Sequence, residues 1–402
     1  MLQFFSASTS IVNSKRAITE CLENALQGEP DLNCDLIIIY TAMGHNFKDL
    51  LSEAHKLSPN AQIVGCSCGG VIGKEGPDES MKALAIMAVK GPKTEFAVSG
   101  LDFSVFSDPY TYGHHLAQDL KSKNPDINLI LFDPSFTQTV YVLDKIIEGI
   151  ESVIGDKVQI FGGLSFDGKM ISDFQFIGET IFEKCAVMVG FADPTLELIC
   201  QANHGLDVVG FPLEVTKSEN NRVIELDGRN TWEILMDKLG LPLTTFPTIE
   251  TMAISTLTAE LPEKYHDEYG SRHKVAAGLI PGADGSIFTL FPSPEGSKLW
   301  LTRRNEQNIF DGVDWMMNRI IERLKGRVPL AVFHADCQAR GRLLFNRIMK
   351  DEIINRLQFP ICKGENIPWL GMYGGGEITP LGGKNHVHIY TSSLYVLVRR
   401  KE

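Results

Sequence analysis

The sequence predicts an α/β fold whose mixed sheets are built from repeated strand-helix-strand units. Three units each open with a nearly continuous apolar run, and these first strands are DLIIIYTA (35–42), NLILFDPS (128–135) and PLAVFHAD (329–336). Each unit closes with a second apolar run that ends in glycines, and these second strands begin QIVGCSCGG (from 62), QIFGGLSFDG (from 159) and PWLGMYGGGEI (from 368). Apolar strands joined by crossover helices are typical of parallel strands buried on both faces.

The helices are predicted from apolar residues at i, i+3, i+4 and i+7. One amphipathic segment precedes each unit, in order RAITECLENALQ, GHHLAQDLKSK and VDWMMNRIIERLK. Another joins the two strands of each unit, in order FKDLLSEAHKL, TVYVLDKIIEGIESVI and LLFNRIMKDEIINRL. Short β runs follow the second strands, for instance KALAIMAVKGPKTEFAVSGL, and we expect them to extend each sheet in antiparallel fashion.

A polar turn at residues 218–221, with the sequence SENN, predicts the boundary between two domains, residues 1–217 and residues 218–402. The first domain would hold two repeat units, and the second would hold one unit with additional strands. No stretch of flexible composition separates them. We therefore expect two closely packed domains.

Composition and charge argue against several classes of protein, namely nucleic-acid-binding, disulfide-rich and membrane-inserted proteins. The 402 residues include 50 acidic and 38 basic side chains, a formal net charge of -12, which argues against nucleic acid or an anionic membrane as the main partner. Eight scattered cysteines without a C-x-x-C motif indicate reduced thiols rather than a disulfide scaffold. Without a signal peptide or a long apolar span, the sequence predicts a cytoplasmic protein with no membrane insertion.

The sequence predicts no cofactor and no metal site. The segment GGVIGKE lacks the G-x-x-x-x-G-K-[ST] spacing of a phosphate loop. His386 and His388 alternate on a predicted strand, as do Cys66 and Cys68. Neither pair has further ligands at the spacing of a metal site.

Ser67 lies in a literal match to the G-x-S-x-G motif of serine hydrolases, within GCSCG. A serine nucleophile in this motif requires a strand that turns sharply into a helix. Glycines and Pro77 crowd the residues that follow, so no helix is expected there. The motif therefore indicates a glycine loop beside a pocket or a domain interface.

Ligands of open α/β sheets collect at the carboxyl ends of parallel strands. Glycine lets the backbone approach a ligand or another loop without interference from Cβ. The candidate glycines at these ends are Gly69, Gly163, Gly375 and Gly376. Turn glycines needed only for their backbone dihedrals are the alternative. Asp133 and Thr137 also lie at a strand end, where we expect turn and cap residues.

Cys337, in the segment HADCQARGRLLF, is the strongest candidate for a chemically reactive residue. We predict that it lies in or just before the first turn of a helix, where the dipole, Arg340 and Arg342 would lower the thiol pKa. Such a thiolate would be nucleophilic, with His334 as a candidate partner. The alternative is a half-buried cysteine that serves as a small apolar residue.

Glu377 follows three glycines in YGGGEITP. A carboxylate there can receive a ligand ammonium, and Arg340 can grip a ligand carboxylate, so the two would suit an amino-acid zwitterion. An internal Arg-Glu salt bridge that closes the loops is the alternative. Asp336 offers a second carboxylate to a ligand, or it caps the following helix.

These motifs resemble those of the FIST family, whose paired FIST N and FIST C domains occur in bacterial signal-transduction proteins and in some eukaryotic F-box proteins. The resemblance rests on VGCSCGGVI, FGGLSFDG, VTKSENNRVIELDG, DCQARGRLL and YGGGEITP. It implies a FIST N-like domain over residues 1–217 and a FIST C-like domain over residues 218–402. It also implies a sensory module for small ligands such as amino acids. No kinase, cyclase, methyl-accepting or F-box segment is evident, so a separate signalling protein would supply the output.

Three functions stay open from the sequence. The first is a cytoplasmic sensory protein that binds a small polar ligand, an amino acid or a small carboxylate, between glycine loops without turnover. The second is a cysteine-dependent enzyme that uses Cys337. The third is a scaffold that recruits a protein through its β edges or its acidic face.

Overall fold

The computed structural model describes residues 1–245, 255–341 and 347–400, except for the side chains of residues 347 and 348. These ranges form the predicted mixed α/β fold in two domains. The described helices are α1 (Ser14–Ala25), α2 (Phe47–Leu57), α3 (Pro109–Lys123), α4 (Phe136–Thr139), α5 (Leu143–Ile154), α6 (Thr231–Leu239), α7 (His266–Tyr269), α8 (Glu306–Leu324) and α9 (Arg347–Cys362). None of the helices in these ranges is long and apolar enough to span a membrane.

The strands of the first half are β1 (Gln3–Thr9), β2 (Leu36–Thr41), β3 (Gln62–Ser67), β4 (Gly70–Gly73), β5 (Gly76–Asp78), β6 (Leu84–Lys90), β7 (Phe96–Asp102), β8 (Leu129–Pro134), β9 (Gln159–Gly163), β10 (Gln175–Ile177), β11 (Thr180–Phe182), β12 (Cys185–Phe191) and β13 (Leu196–Asn203). Those of the second half are β14 (Leu206–Glu219), β15 (Arg222–Leu226), β16 (Arg229–Asn230), β17 (Thr256–Glu260), β18 (His273–Gly278), β19 (Ile287–Phe288), β20 (Lys298–Arg304), β21 (Ala331–Cys337), β22 (Trp369–Gly374), β23 (Glu377–Leu381), β24 (Lys384–His388) and β25 (Ser392–Arg399).

Each predicted unit forms a parallel strand pair. β2 pairs with β3, β8 with β9 and β21 with β22. Both faces of these strands are buried, as β2 illustrates: Ile38 and Tyr40 face an inner core, whereas Ile37 and Ile39 face the outer helices. The near-continuous apolar runs in the sequence reflect this two-sided burial.

Local capping explains where several helices begin. Asn13, Asn46, Asp108 and Asn305 each precede a helix, and each side chain accepts a hydrogen bond from the backbone N–H three residues later. This interaction satisfies one of the N–H groups that lack a partner in the first helical turn. The caps therefore fix the starts of α1, α2, α3 and α8.

Three six-stranded sheets are assembled by exchange of strands between units. Their orders are β1-β6-β2-β3-β10-β11 in the first sheet, β7-β12-β8-β9-β23-β24 in the second and β13-β25-β21-β22-β4-β5 in the third. The hairpin that follows each parallel pair joins another sheet: β4 pairs with β22, β10 with β3 and β23 with β9. The three units are thus linked in a closed cycle.

This exchange corrects one expectation. The sequence predicts that the short β segments after each second strand extend a single sheet. In the first such segment, however, β6 lies in the first sheet and β7 in the second. β12 and β13 divide in the same way between the second and third sheets. Hydrophobic alternation specifies which face of a strand is buried, but it does not specify which sheet the strand joins.

The inner faces of the three sheets share one apolar core. Side chains from all three sheets meet in it, including Tyr40, Leu131, Phe161, Phe333 and Tyr395. Helices cover the outer faces: α1 and α2 the first sheet, α3 and α5 the second, and α8 and α9 the third. The carboxyl ends of the three parallel pairs therefore lie around one centre.

A fourth sheet lies between β13 and the third unit in the chain. Its order is β16-β15-β14-β20-β17-β18, with β19 paired to β15, and it packs with α6 around a separate core. β13 pairs with β25 along its whole length, so the third sheet contains strands from both sides of residue 217. The boundary at residues 217 and 218 stays a prediction.

Candidate functional site

A pocket lies where the carboxyl ends of parallel strands from the second and third sheets meet the fourth sheet. Its cavity volume is about 70 Å³. The wall is largely apolar and aromatic, and its principal side chains are Phe136, Tyr141, Phe166, Leu290, Ile389 and Tyr390. Two of the predicted site residues, Cys337 and Gly375, also lie on this wall. We refer to this cavity as the aromatic pocket.

Tyr390 forms part of the wall in an uncommon backbone conformation. Its φ is +59°, in the left-handed region that non-glycine residues rarely adopt. Gly278 packs opposite, because a Cβ at that position would lie 3.1 Å from the Tyr390 hydroxyl. Such conformations persist where the surrounding structure determines them, and they cluster at ligand sites.

The four candidate glycines are needed for close approach rather than for backbone freedom. None of them has φ in the left-handed region. An added Cβ would overlap other atoms: Gln338 Oε1 at 1.6 Å from Gly69, Met372 Cε at 2.8 Å from Gly163, a Phe136 ring carbon at 2.3 Å from Gly375 and the His388 carbonyl oxygen at 2.9 Å from Gly376. Gly69, Gly163 and Gly375 therefore let segments of different units pack against each other, and Gly376 allows a close approach within the third unit.

Arg340 is buried and held by groups of the same chain. Its Nε donates a 3.0 Å hydrogen bond to Asp336 Oδ1, and its Nη1 donates a 2.9 Å hydrogen bond to the His204 carbonyl oxygen. His334 Nε2 lies 3.5 Å from the other Asp336 oxygen. Burial acts to raise the pKa of Asp336, but the Arg340 and His334 side chains outweigh it and hold that pKa below its ordinary value. Asp336 thus pairs with Arg340 rather than capping a helix.

Glu377 is fully buried at the start of β23. Its Oε2 accepts hydrogen bonds from the Thr391 hydroxyl and from the Thr391 backbone N–H, the latter at 3.2 Å. Its Oε1 has no hydrogen-bond partner among the described residues. Burial is the main cause that raises the pKa of Glu377 well above its ordinary value. Glu377 and Arg340 form no ion pair with each other within the described ranges.

Cys337 ends β21, and the structure corrects its expected environment. A single 3-10 turn, Gln338–Arg340, follows it instead of an α-helix, and Arg342 lies outside the described residues. Burial, assisted by the negative charge of Glu377, raises the pKa of the Cys337 thiol far above its ordinary value. The predicted lowering is wrong because desolvation of the thiolate outweighs the N–H groups of the turn.

Family models match most of the chain. A FIST N domain model matches residues 35–229, and a FIST C domain model matches residues 256–380. The chain belongs to the FIST family. FIST domains are sensory domains of signal-transduction proteins, and this FIST protein carries both of them.

Similar proteins add no established activity to this FIST protein. An uncharacterized protein of Mycobacterium bovis is 23% identical over 356 residues, which cover 87% of this chain and 86% of that one. An uncharacterized protein of Mycobacterium tuberculosis is also 23% identical, over 87% of both chains. Among solved structures, a cyanuric acid hydrolase from A. caulinodans aligns over 100% of both chains with 9% identity and a TM-score of 0.35. A chorismatase aligns over 99% of both chains with 8% identity and a TM-score of 0.35.

Ser67 and Thr137 have structural roles in this FIST protein. Ser67 is fully buried, its hydroxyl oxygen accepts the Phe174 N–H at 2.9 Å, and the short strand β4 follows it in place of a helix. The backbone N–H of Thr137 donates a 2.9 Å hydrogen bond to Asp173. Neither residue lines the aromatic pocket.

His386 and His388 separate into two environments in the FIST protein. His386 lines a second cavity, described below. His388 is buried, with Nδ1 3.2 Å from the Tyr269 hydroxyl and Nε2 3.2 Å from the Thr379 carbonyl oxygen. Within residues 1–245, 255–341 and 347–400, no group of three His, Cys, Asp or Glu side chains is arranged to hold a metal ion.

The aromatic wall of the pocket was not predicted from the sequence. Phe136 and Phe166 each come within three residues of the carboxyl end of a parallel strand, so both could have been predicted as pocket residues from the sequence. Tyr141 and Tyr390 could not have been predicted in this way. Tyr141 lies in the connection between α4 and α5, and Tyr390 lies in the loop between β24 and β25. Their placement depends on the packing of the FIST N and FIST C portions.

Proposed function

We propose that this FIST protein is a cytoplasmic sensor that binds a small ligand in the aromatic pocket. The position of the pocket carries the proposal, since it lies at the carboxyl ends of β21 and β22 and beside those of β8 and β9. Ligands of α/β proteins bind at such strand ends, in largely apolar cavities with a few polar groups. The sensory role of FIST domains supports the same function.

The lining favours a small amino acid with an apolar side chain. A cavity of about 70 Å³ admits only a small ligand. The aromatic side chains would contact the apolar part of the ligand. Glu377 is two residues after Gly375 and does not itself line the cavity, so its unpartnered Oε1 would accept the ligand ammonium only once the pocket opens to it. An adjacent ammonium would lower the pKa of Glu377 and favour the carboxylate.

Ligand binding would be transmitted between the two halves of the chain. Phe136 and Tyr141 reach the pocket from the N-terminal half, and Cys337 and Tyr390 reach it from the C-terminal half. A ligand that contacts both halves shifts the equilibrium between two arrangements by its difference in affinity for them. A separate signalling protein would recognise the favoured arrangement.

A thermal-shift screen with the amino acids and small carboxylates tests this function. A ligand at about a hundred times its Kd should stabilise the protein by roughly 2.7 kcal/mol. Ala339→Leu, which fills the pocket, should abolish the shift, whereas Ala283→Leu, at an exposed turn, should leave it unchanged. A full shift in Ala339→Leu would place the ligand elsewhere. Absence of any shift in a cooperatively melting protein would refute the amino-acid sensor.

A further inference from the structure

A second and larger cavity lies between α5, the fourth sheet and the β23-β24 hairpin. Its volume is about 500 Å³. Tyr265 and Phe291 supply aromatic surface, and Lys274 on β18 reaches it from the fourth sheet. Leu290 lines both this cavity and the aromatic pocket, so the two lie side by side. We refer to it as the lysine cavity.

Lys274 is a buried lysine in the lining of this cavity. The residue is 7% exposed, and its Nζ makes no hydrogen bond or ion pair with any described residue. Its described contact is with the Phe291 ring, whose centroid lies 5.7 Å from Nζ. Buried lysines are rare and are normally paired, because an unpaired ammonium loses its hydration without compensation.

Burial also changes the protonation of this amine. Loss of hydration lowers the pKa of Lys274 to about 7, although the negative charge of Asp144 acts in the opposite direction. At neutral pH about half of the molecules therefore carry a neutral amine, whereas an exposed lysine is almost wholly protonated. A neutral amine that faces a cavity is a nucleophile.

We propose that Lys274 is a reversible covalent binding site for a small neutral aldehyde or ketone. The Nζ lone pair attacks the carbonyl carbon, and the carbonyl oxygen takes up a proton to give a carbinolamine. The nitrogen lone pair then expels the hydroxyl group as water, and loss of the remaining N–H proton gives the imine. The amine and the carbonyl compound thus yield an imine and one water molecule, and no oxidant or reductant is consumed.

Asp144 is placed to serve this reaction. It lines the lysine cavity, and burial raises the pKa of its carboxyl group. A carboxyl group that lines the same cavity can protonate the departing hydroxyl and recover a proton from nitrogen. Asp144 is also the charged group that acts on the pKa of Lys274.

The other charged groups of the lining select a neutral carbonyl compound. The acidic side chains of the lining are Asp144, Glu148, Glu151 and Glu260, and Lys384 is the second basic one. Burial, with the charges of Lys274 and Lys384, lowers the pKa of His386 to about 3, so this ring adds no positive charge at neutral pH. The excess of carboxylates disfavours anionic compounds such as 2-oxo acids. This site is separate from the proposed sensor ligand and does not depend on it.

Reductive trapping tests the proposal. The full-length protein is incubated at pH 7 with propionaldehyde and sodium cyanoborohydride, and the propylated lysines are identified by peptide mass spectrometry. We expect Lys274 to react at least about tenfold faster than the exposed Lys145, because far more of its amine is neutral. Equal rates at the two lysines would overturn the proposal. Pyruvate should label Lys274 more slowly than propionaldehyde, and the reverse order would overturn the neutral class.

Two controls separate the site from general lysine reactivity. Lys274→Met should remove the fast labelling, whereas Lys384→Met, at the other lysine of the lining, should retain it. If Lys274→Met does not fold, the wild-type protein in unfolding urea provides the second control. Fast labelling of Lys274 should disappear there, and its persistence would show that the cavity does not cause it.

Discussion

The Tyr40 hydroxyl donates a 2.8 Å hydrogen bond to the Asp133 carboxylate, which is 93 positions later in the chain. The bond joins β2 of the first sheet to β8 of the second inside their shared core. The other carboxylate oxygen accepts the Gly163 N–H at 3.1 Å. The sequence predicts a turn or cap residue at Asp133, but Asp133 lies within β8 and is a titratable group inside the fold.

Asp133 should make the stability of the protein depend on pH. Burial raises its pKa from 3.8 to about 7, so its contribution to stability is fully present below about pH 4 and is lost as the pH rises through 7. The free energy of unfolding should therefore fall more between pH 5 and pH 8 in the wild type than in Asp133→Asn, by about 2 kcal/mol. Urea unfolding at the two pH values measures this difference. Identical pH dependence in the two proteins would contradict the raised pKa.

Gly69→Ala should destabilise the protein by about 1–3 kcal/mol, because the new Cβ overlaps the Gln338 side chain. The displaced amide would also strain its 3.1 Å hydrogen bond to Glu79. Adding Gln338→Ala removes the overlap, so Gly69→Ala should cost less in that background. Urea unfolding of the wild type, the two single variants and the double variant gives the free energies of unfolding for this double-mutant cycle. An equal cost in both backgrounds would instead indicate a requirement of the backbone at Gly69.

Asp336→Asn should cost about 3 kcal/mol, because it leaves the buried Arg340 guanidinium without a negatively charged partner at 3.0 Å. Glu148→Gln is the matched control, since it breaks the exposed pair between Lys145 and Glu148 and should cost under about 1 kcal/mol. Chemical denaturation of both variants gives the comparison. Similar small losses would mean that Arg340 does not depend on Asp336.

Cys337 should resist alkylation in the folded protein. Its thiol is buried with a raised pKa, whereas Cys362 is only partly buried. Iodoacetamide at pH 8 should modify Cys362 first and reach Cys337 only after unfolding, because the thiolate is the reactive form. Peptide mapping over time measures the two rates. Faster labelling of Cys337 would restore the cysteine-dependent enzyme as the better interpretation.

The sequence predicted the parallel pairs and their helices because these depend on local patterns. Continuous apolar runs require burial on both faces, and the 3.6-residue period requires a helix with one buried side. The exchange of hairpins was not predictable in the same way. β4 is only four residues long and pairs with β22 through backbone hydrogen bonds. Such bonds do not require particular amino acids, so the sequence does not indicate the pairing.

The candidate site was predictable in part for a similar reason. Cys337 and Gly375 reach the aromatic pocket because strand ends converge wherever parallel pairs surround a common centre. Arg340 bonds to Asp336, four positions away, and also to the His204 carbonyl group, a contact that depends on tertiary packing and was not predictable. Lys274 gave no signal, because the sequence HKVAAG does not reveal that the lysine of this strand is buried beside a cavity.

The cyclic exchange of hairpins has a consequence for how the chain acquires its structure. Each of the three six-stranded sheets requires a strand from a distant unit, so no unit completes its backbone pairing before another has formed. Long loops must close before such contacts form, which predicts slow folding. A fragment ending at residue 217 would retain β4 and β13 but lose their partners β22 and β25. Its unpaired edges would favour aggregation, so the two FIST portions should be obtainable in native form only as one continuous polypeptide.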